Sequence, residues 1–250
     1  VTGAGSGIGA AIARSFAAAG ARVSLAGRRS APLEDVARTL PDGAALVLAD
    51  FDVTKAEAIA RGLNSAREKF GPVDILINNA GDAPSAPFDK IDEAMWAHTI
   101  GVDLTGVFLV TQAVLPDLRK KGAGARIINI ASTAGLKGYA YVAAYCAAKH
   151  GVIGMTRALA LELARTGVTV NAICPGFTDT PLVQRSVDAI VAKTGRTADE
   201  ARRELAKTNP QARLIDPQEV ADAALWLASA AAHSITGQAL PIAGGEVMAG

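Results

Sequence analysis

The 250-residue sequence predicts an α/β fold. About seven parallel strands form one doubly wound sheet with helices on both faces. Three observations predict it. Strand-like and helix-like segments alternate along the whole chain. The strand-like runs are continuously apolar rather than alternating, as strands buried on two faces must be. No repeat, low-complexity tract or linker breaks the rhythm, so one domain over 1–250 is expected.

In chain order, a glycine-rich turn at the N-terminus opens a helix over 8–19. A strand over 22–27 and a helix over 32–40 come next, then a strand over 45–53 and a helix over 56–70. A strand over 73–81 ends in small polar residues. A long helix is expected over 92–121, a strand over 126–131, and a helix that contains Tyr145 and runs to 164. The strand over 168–174 is closed by Pro175 and Gly176. The segment 180–214 departs from the rhythm: it is charged, helix-prone and inserted after a strand's C-terminal end. Ligands of open α/β sheets bind at those ends, so this segment is placed to be a small helical lid. Asp216 and Glu219 form a capping box with Pro217 between them, opening a helix to 228. A short strand over 238–245 closes the fold.

Half of the residues are hydrophobic and a fifth are charged, enough for a large core without disulfides. The net charge of +1 argues against nucleic acid or an anionic membrane as partner. No apolar run long enough to span a bilayer and no signal peptide stand out. The chain opens on Val1 without a methionine, so most of a first strand is expected to precede the numbering. Cys146 and Cys174 lie in apolar surroundings and read as free thiols of a cytoplasmic protein. His98, His150 and His233 are isolated, and no metal site is expected.

The chemistry gathers at Ser132, Tyr145 and Lys149. Tyr145 and Lys149 are spaced i, i+4, one helical turn apart on one face. An ammonium beside a phenol stabilises the phenolate, so the Tyr145 pKa is expected to fall from ~10 toward neutrality. Such a tyrosine serves as acid to an alkoxide or base to an alcohol. Ser132 comes just after the strand that begins near 126 and can face the same point. At the other end, Gly3, Gly5, Gly7 and Gly9 crowd a strand-to-helix turn around Ser6 and Ile8. Amides at such a helix start bind phosphate, and glycine lets the backbone approach it. Arg28 follows Gly27 where a dinucleotide's adenosine ribose would sit. An acid there would select NAD, whereas arginine accommodates a 2′-phosphate, so NADP is expected, with NAD as the alternative.

These motifs, in this order and over essentially the whole chain, resemble the short-chain dehydrogenase/reductase family and its Rossmann-like fold. Thr2 to Gly9 looks like the family's cofactor loop, Asn78 to Gly81 its sheet-stabilising motif, and Pro175 to Thr180 its nicotinamide segment. Ser132, with Tyr145 thirteen residues on and then Lys149, looks like its catalytic set. The resemblance implies that Tyr145 exchanges the proton and Lys149 holds the nicotinamide ribose. It implies that Ser132 positions the carbonyl. Gly3, Ser6, Gly7 and Ile8 would hold the pyrophosphate, and Asp52 and Val53 would contact adenine. Asn79, Ala80 and Gly81 would pass the ribose and the nicotinamide side, and Pro175, Gly176, Thr178 and Thr180 would hold carboxamide and phosphates. The long helices imply a homotetramer. Asp103 stands where the family usually has an asparagine of the proton relay; its carboxylate would favour protonated Lys149. Ser6 stands where NADP-dependent members often carry a basic residue.

The implied activity is reversible hydride transfer between NADP(H) and a ketone or secondary alcohol. The segments 161–177 and 234–248 look most like 3-oxoacyl-thioester ketoreductases and 3-hydroxyacyl-CoA dehydrogenases, so a CoA or carrier-protein thioester is the expected substrate. The alternatives are a small cyclic or aryl secondary alcohol, a non-catalytic NADP-binding regulator, and nucleotide-sugar chemistry. The intact Tyr145–Lys149 pair weighs against the regulator, and the chain length against the nucleotide sugar. The lid's basic residues, Arg185, Lys193, Arg196, Arg202, Arg203 and Lys207, read as a solvated face or as a receptor for thioester phosphates. Tyr139 and Tyr141 are candidate walls of the substrate side.

Overall fold

The computed structural model describes residues 1–248, so the end of the expected 1–250 domain lies outside the described residues. Six strands and nine α-helices are described. Strands β1 (Val23–Ala26) and β2 (Ala45–Leu48) pair in parallel. Strands β3 (Ile75–Asn78), β4 (Arg126–Ile130), β5 (Thr169–Pro175) and β6 (Ala239–Ile242) form a second parallel set in that order. Thr2 lies between the two sets. It bridges Ala26, and its N–H donates to the Ile77 carbonyl at 3.0 Å. Thr2 thus occupies the place of the expected seventh strand between the two sets.

Helices cover both faces because the strands are apolar on both. Every residue of β4 is buried. Ile128 and Ile130 face a core shared with α1 (Gly7–Ala18) and α9 (Pro217–Ala228), whereas Ile127 faces one shared with α3 (Ala56–Phe70). Between β1 and β2 runs α2 (Ser30–Ala37). The capping box expected at Asp216 and Glu219 opens α9.

The helix expected over 92–121 is present but not uniform. Helix α4 (Glu93–Ile100) and α5 (Gly106–Lys121) are joined by a π-helical turn, Gly101–Thr105. The extra residue of the π turn offsets α5 in rotation from α4, and the turn carries Asp103 into the protein, where it is fully buried. Together these segments make one helical run, 93–121, whose mean hydropathy over 18 residues reaches 1.4, long and apolar enough by composition to cross a membrane. That corrects the expectation that no such run exists. Here Val107, Val110, Val114 and Leu118 of that run are buried in the core beside the sheet.

Helix α6 (Ala143–Leu163) carries Tyr145 and Lys149. The segment after β5 folds as α7 (Pro181–Thr194) and α8 (Ala198–Ala206), packed on each other through Val183, Val187 and Ala201.

Candidate active site

A cleft of about 1090 Å³ runs across the C-terminal ends of β1, β3, β4 and β5, and its lining includes every site residue expected from the sequence. At one end is the glycine turn. Gly3 and Gly7 have φ of +65° and +52°, which only glycine adopts cheaply. Side chains here would fill the turn: a Cβ on Gly9 would lie 2.4 Å from the Gly3 carbonyl oxygen, and one on Gly7 2.9 Å from Thr180 Cγ2. Arg28 and Arg29 extend into solvent beyond β1, on the lining of the same end. The Asp52 carboxylate accepts from the Thr54 amide at 2.9 Å and hydroxyl at 2.8 Å. Burial raises its pKa, but these bonds and the charge of Arg28 outweigh that and hold it below the usual range.

At the other end Ser132 leaves β4 in an extended conformation and caps the 3₁₀ turn Thr133–Gly135, its Oγ accepting from the Ala134 amide at 3.1 Å. That bond uses the oxygen as acceptor and leaves the hydroxyl proton available to another partner. The Lys149 ammonium lies 5.4 Å from the Tyr145 ring centroid, donates to the Ile130 carbonyl at 3.1 Å, and sits 3.2 Å from Asp103 Oδ1. Asp103 Oδ2 accepts from the Asp82 amide at 3.3 Å. The approach of Lys149 to Oδ1 is an ion contact without hydrogen-bond alignment, and Oδ1 has no hydrogen-bond partner among the described residues.

Electrostatics here correct one expectation. Burial pushes the Tyr145 phenol up. Lys149 and the Ser132 hydroxyl pull it down, and Asp103 pushes it further up, so the balance is upward rather than toward neutrality. For Lys149 burial disfavours the charge, but Asp103 and the phenol outweigh it and raise the pKa, so the ammonium is held charged. Burial likewise raises the Asp103 carboxyl against the pull of Lys149.

Several expected contacts have a bracing role in the protein itself. The Asn79 amide nitrogen donates to the Thr2 carbonyl at 2.9 Å and the Gly3 carbonyl at 3.2 Å, fixing the glycine turn. The Thr2 hydroxyl accepts from the Asn79 and Ala80 amides. Thr178 donates to the Gly176 carbonyl, and Thr180 caps α7. Gly81 leaves room for Asp103, whose Oδ1 would lie 2.6 Å from a Cβ there. Val53 is buried, and Ser6, Ile8, Ala80, Pro175 and Gly176 line the cleft with it. Tyr139 and Tyr141 both line the cleft, as expected.

The basic excess around α7 and α8 is largely neutralised. Arg185 meets Asp82 across the cleft at 2.7 Å, Arg202 meets Asp179 at 2.8 Å, and Arg196 and Lys207 both meet Glu204. Lys193 remains on the cleft lining. The sequence reading missed Thr2 as a brace, Asp82 as the partner of Arg185 on α7, and Glu246, whose carboxylate meets Tyr139. Asp82 directly follows the Asn78–Gly81 motif, a position that was a usable signal; nothing local marks Glu246.

The cradle fits a dinucleotide. A glycine-lined helix start, an arginine pair at one end and a phenol–ammonium pair at the other share one elongated cleft. Fold and site together define a nucleotide-dependent oxidoreductase of ketones and secondary alcohols. The chain belongs to the short-chain dehydrogenase family, whose model matches residues 1–213. It is 40% identical to a D-beta-hydroxybutyrate dehydrogenase of Cupriavidus necator, over 99% of this chain and 96% of the relative. Among solved structures, a variant of actinorhodin polyketide ketoreductase with NADPH superposes with a TM-score of 0.92 at 37% identity, covering 98% and 95% of the two chains. A 3-ketoacyl-(acyl-carrier-protein) reductase from Brucella melitensis with NADH superposes at 0.87 and 33% identity, covering 99% and 96%.

Proposed function

We propose that this protein reduces a 3-oxoacyl thioester of CoA or a carrier protein, or oxidises the matching 3-hydroxyacyl thioester, with NADP(H) preferred and NAD(H) as the alternative. The observation that carries the reading is the convergence of Ser132, Tyr145 and Lys149 at one end of a cleft whose other end is a glycine cradle beside Arg28. The NADPH-bound ketoreductase and the NADH-bound reductase among its structural relatives support both cofactors. The alternative substrate is a small cyclic or aryl secondary alcohol, for which the same acid–base set serves.

The bound nicotinamide cofactor supplies or accepts the hydride. The chain's residues do the rest. Gly3, Ser6, Gly7 and Ile8 would hold the pyrophosphate, Arg28 the 2′-phosphate, and Asp52 with Val53 the adenine. Asn79, Ala80 and Gly81 would flank the ribose, and Pro175, Gly176, Thr178 and Thr180 the carboxamide. The Ser132 hydroxyl, its oxygen engaged by the Ala134 amide, donates to the substrate carbonyl oxygen. Tyr145 gives its proton to that oxygen during reduction and takes it back during oxidation. The charge of Lys149 favours the phenolate left behind, and Asp103 keeps that ammonium protonated. Helices α7 and α8 would serve as the lid, with Arg185 reaching Asp82 on the opposite wall.

The free thiols Cys146 and Cys174 support a cytoplasmic site of action. The decisive experiment is Tyr145→Phe assayed at 340 nm with acetoacetyl-CoA. We expect kcat to fall by about 10²–10⁴-fold with NADPH binding retained. A variant with near-normal turnover would remove Tyr145 from the mechanism.

A further inference from the structure

Behind the substrate wall lies a carboxylate that the mechanism does not use. The Glu246 side chain, from the segment after β6, is only 1% exposed. Its Oε1 accepts from the Tyr139 phenol at 2.5 Å and meets the Lys137 ammonium at 3.1 Å. The same phenol lies 2.7 Å from Thr133 Oγ1. A phenol carries one proton, and the carboxylate can only accept. The Tyr139 proton therefore goes to Glu246, and the Thr133 hydroxyl donates to the phenol oxygen.

This arrangement has two consequences for the cleft, which Thr133, Tyr139, Gly176 and Phe177 line. First, the hydroxyl donors on this wall are spent. The phenol proton and the Thr133 proton both face inward, within the cluster, and the Lys137 ammonium, 5.0 Å from the Tyr139 ring centroid, is paired with the carboxylate. Second, a negative charge lies close behind the wall. Glu246 Oε2 is buried, has no hydrogen-bond partner among the described residues, and would touch a Cβ built on Gly176 at 3.0 Å. The Lys137 side chain is 40% exposed, so solvent screens its charge more than it screens the buried carboxylate. The Tyr139 ring is also held in place from its other side, edge-on to Phe177 with centroids 6.2 Å apart.

We infer that Glu246 is a specificity-determining residue: by holding Tyr139 as a spent donor backed by negative charge, it selects substrates whose group against this wall is uncharged, whatever charge lies further along them, and rejects free 3-oxo acids. A substrate carboxylate against this wall would find no free hydroxyl donor and a like charge behind it, which costs free energy on both counts. A thioester, an ester or an alicyclic ketone meets neither penalty. Glu246 touches no reacting atom and acts through Tyr139 and the field. The inference rests on the ketone-reductase reading above and deepens it by naming the class of substrate.

The test compares acetoacetate with ethyl acetoacetate, two 3-oxo compounds that differ at the acid group. With NADPH and wild-type protein, kcat/KM for the ester should exceed that for the acid by at least about tenfold. In Glu246→Gln, which keeps an acceptor for Tyr139, the ratio should fall about fivefold or more, mainly through a lower KM for the acid. Glu246→Ala, which releases Tyr139, should instead raise KM for the ester. Equal wild-type use of acid and ester, or a ratio unmoved in Glu246→Gln, overturns the inference. The same two compounds are titrated calorimetrically into the NADP⁺-loaded protein, so discrimination is read without turnover. A wild type that binds the ester selectively yet reduces neither compound would overturn the functional reading and leave the role of Glu246 standing; equal binding of both would overturn that role.

Discussion

Asp103 is one of the two positions, with Ser6, at which the family resemblance marks a departure, and its effect runs through charge. It is fully buried 3.2 Å from Lys149 and raises the pKa of both the ammonium and the Tyr145 phenol. In the mechanism proposed above alcohol oxidation needs the Tyr145 phenolate, so its rate should rise as pH climbs through the Tyr145 pKa. Replacing the carboxylate by the neutral amide in Asp103→Asn removes one upward push on the phenol. The rising limb of kcat for oxidation should therefore move to lower pH, and activity near neutrality should be kept or raised. An unshifted profile would show that the field of Asp103 does not reach the phenol. A well-folded but inactive variant would show that the carboxylate has a role of its own. The residue types at Ser132, Tyr145 and Lys149 were legible in the sequence because their chemistry and spacing are unusual together. The direction of the Tyr145 shift was not, because burial opposes the neighbouring cation and burial is not written in an i, i+4 spacing.

At the scale of elements, the glycine turn is a device of fit. The backbone of Gly9 approaches the Gly3 carbonyl so closely that a Cβ would lie 2.4 Å from its oxygen and 2.5 Å from the Asn79 amide nitrogen. Backbone and a twice-bonded side chain cannot yield cheaply. Gly9→Ala should therefore lower stability by on the order of 1–3 kcal/mol in chemical denaturation. It should also weaken NADPH binding, read by fluorescence titration, while a variant that binds normally would show the turn to be slack. The polar ladder deeper in the sheet works by satisfaction rather than space. The Asn78 amide donates to Thr111 and to Asn129, and Asn129 donates to Thr156, so no member of this buried chain is left without a partner. The strand and helix periods located most of these elements to within a few residues. The π turn at Gly101–Thr105 left no trace in the periodicity, since one extra residue in a helical ladder shifts the pattern without breaking it.

For the whole molecule, the outer helices carry large apolar side chains that the chain itself does not cover. Trp96 on α4 is 44% exposed, Phe108 on α5 46% and Leu161 on α6 82%. These are the helices that the family resemblance assigns to subunit contacts, and we propose a homotetramer built through them. Light scattering coupled to size exclusion should give four times the mass of one chain. Phe108→Arg with Leu161→Arg should give a smaller species, whereas a monomeric wild type would overturn the assembly. The same exposure accounts for the apolar character of the 93–121 helix, one side of which meets the core.

The sequence by itself determined the order of elements, the doubly wound parallel sheet, the glycine turn and the spacing that puts Tyr145 and Lys149 on one helix face after Ser132. Those features are local: an apolar run, a capping box, a spacing of four, each read within a dozen residues. Tertiary structure alone decided how distant groups meet. It brought Glu246 against Tyr139, 107 positions apart, and Arg185 against Asp82, 103 apart. It also buried the Tyr145 phenol, which above all sets the upward sign of its shift, and placed Asp103 beside Lys149 to push the same way. The reason is physical. Charge and hydrogen-bond energies depend on distance and dielectric, and both are properties of the folded chain.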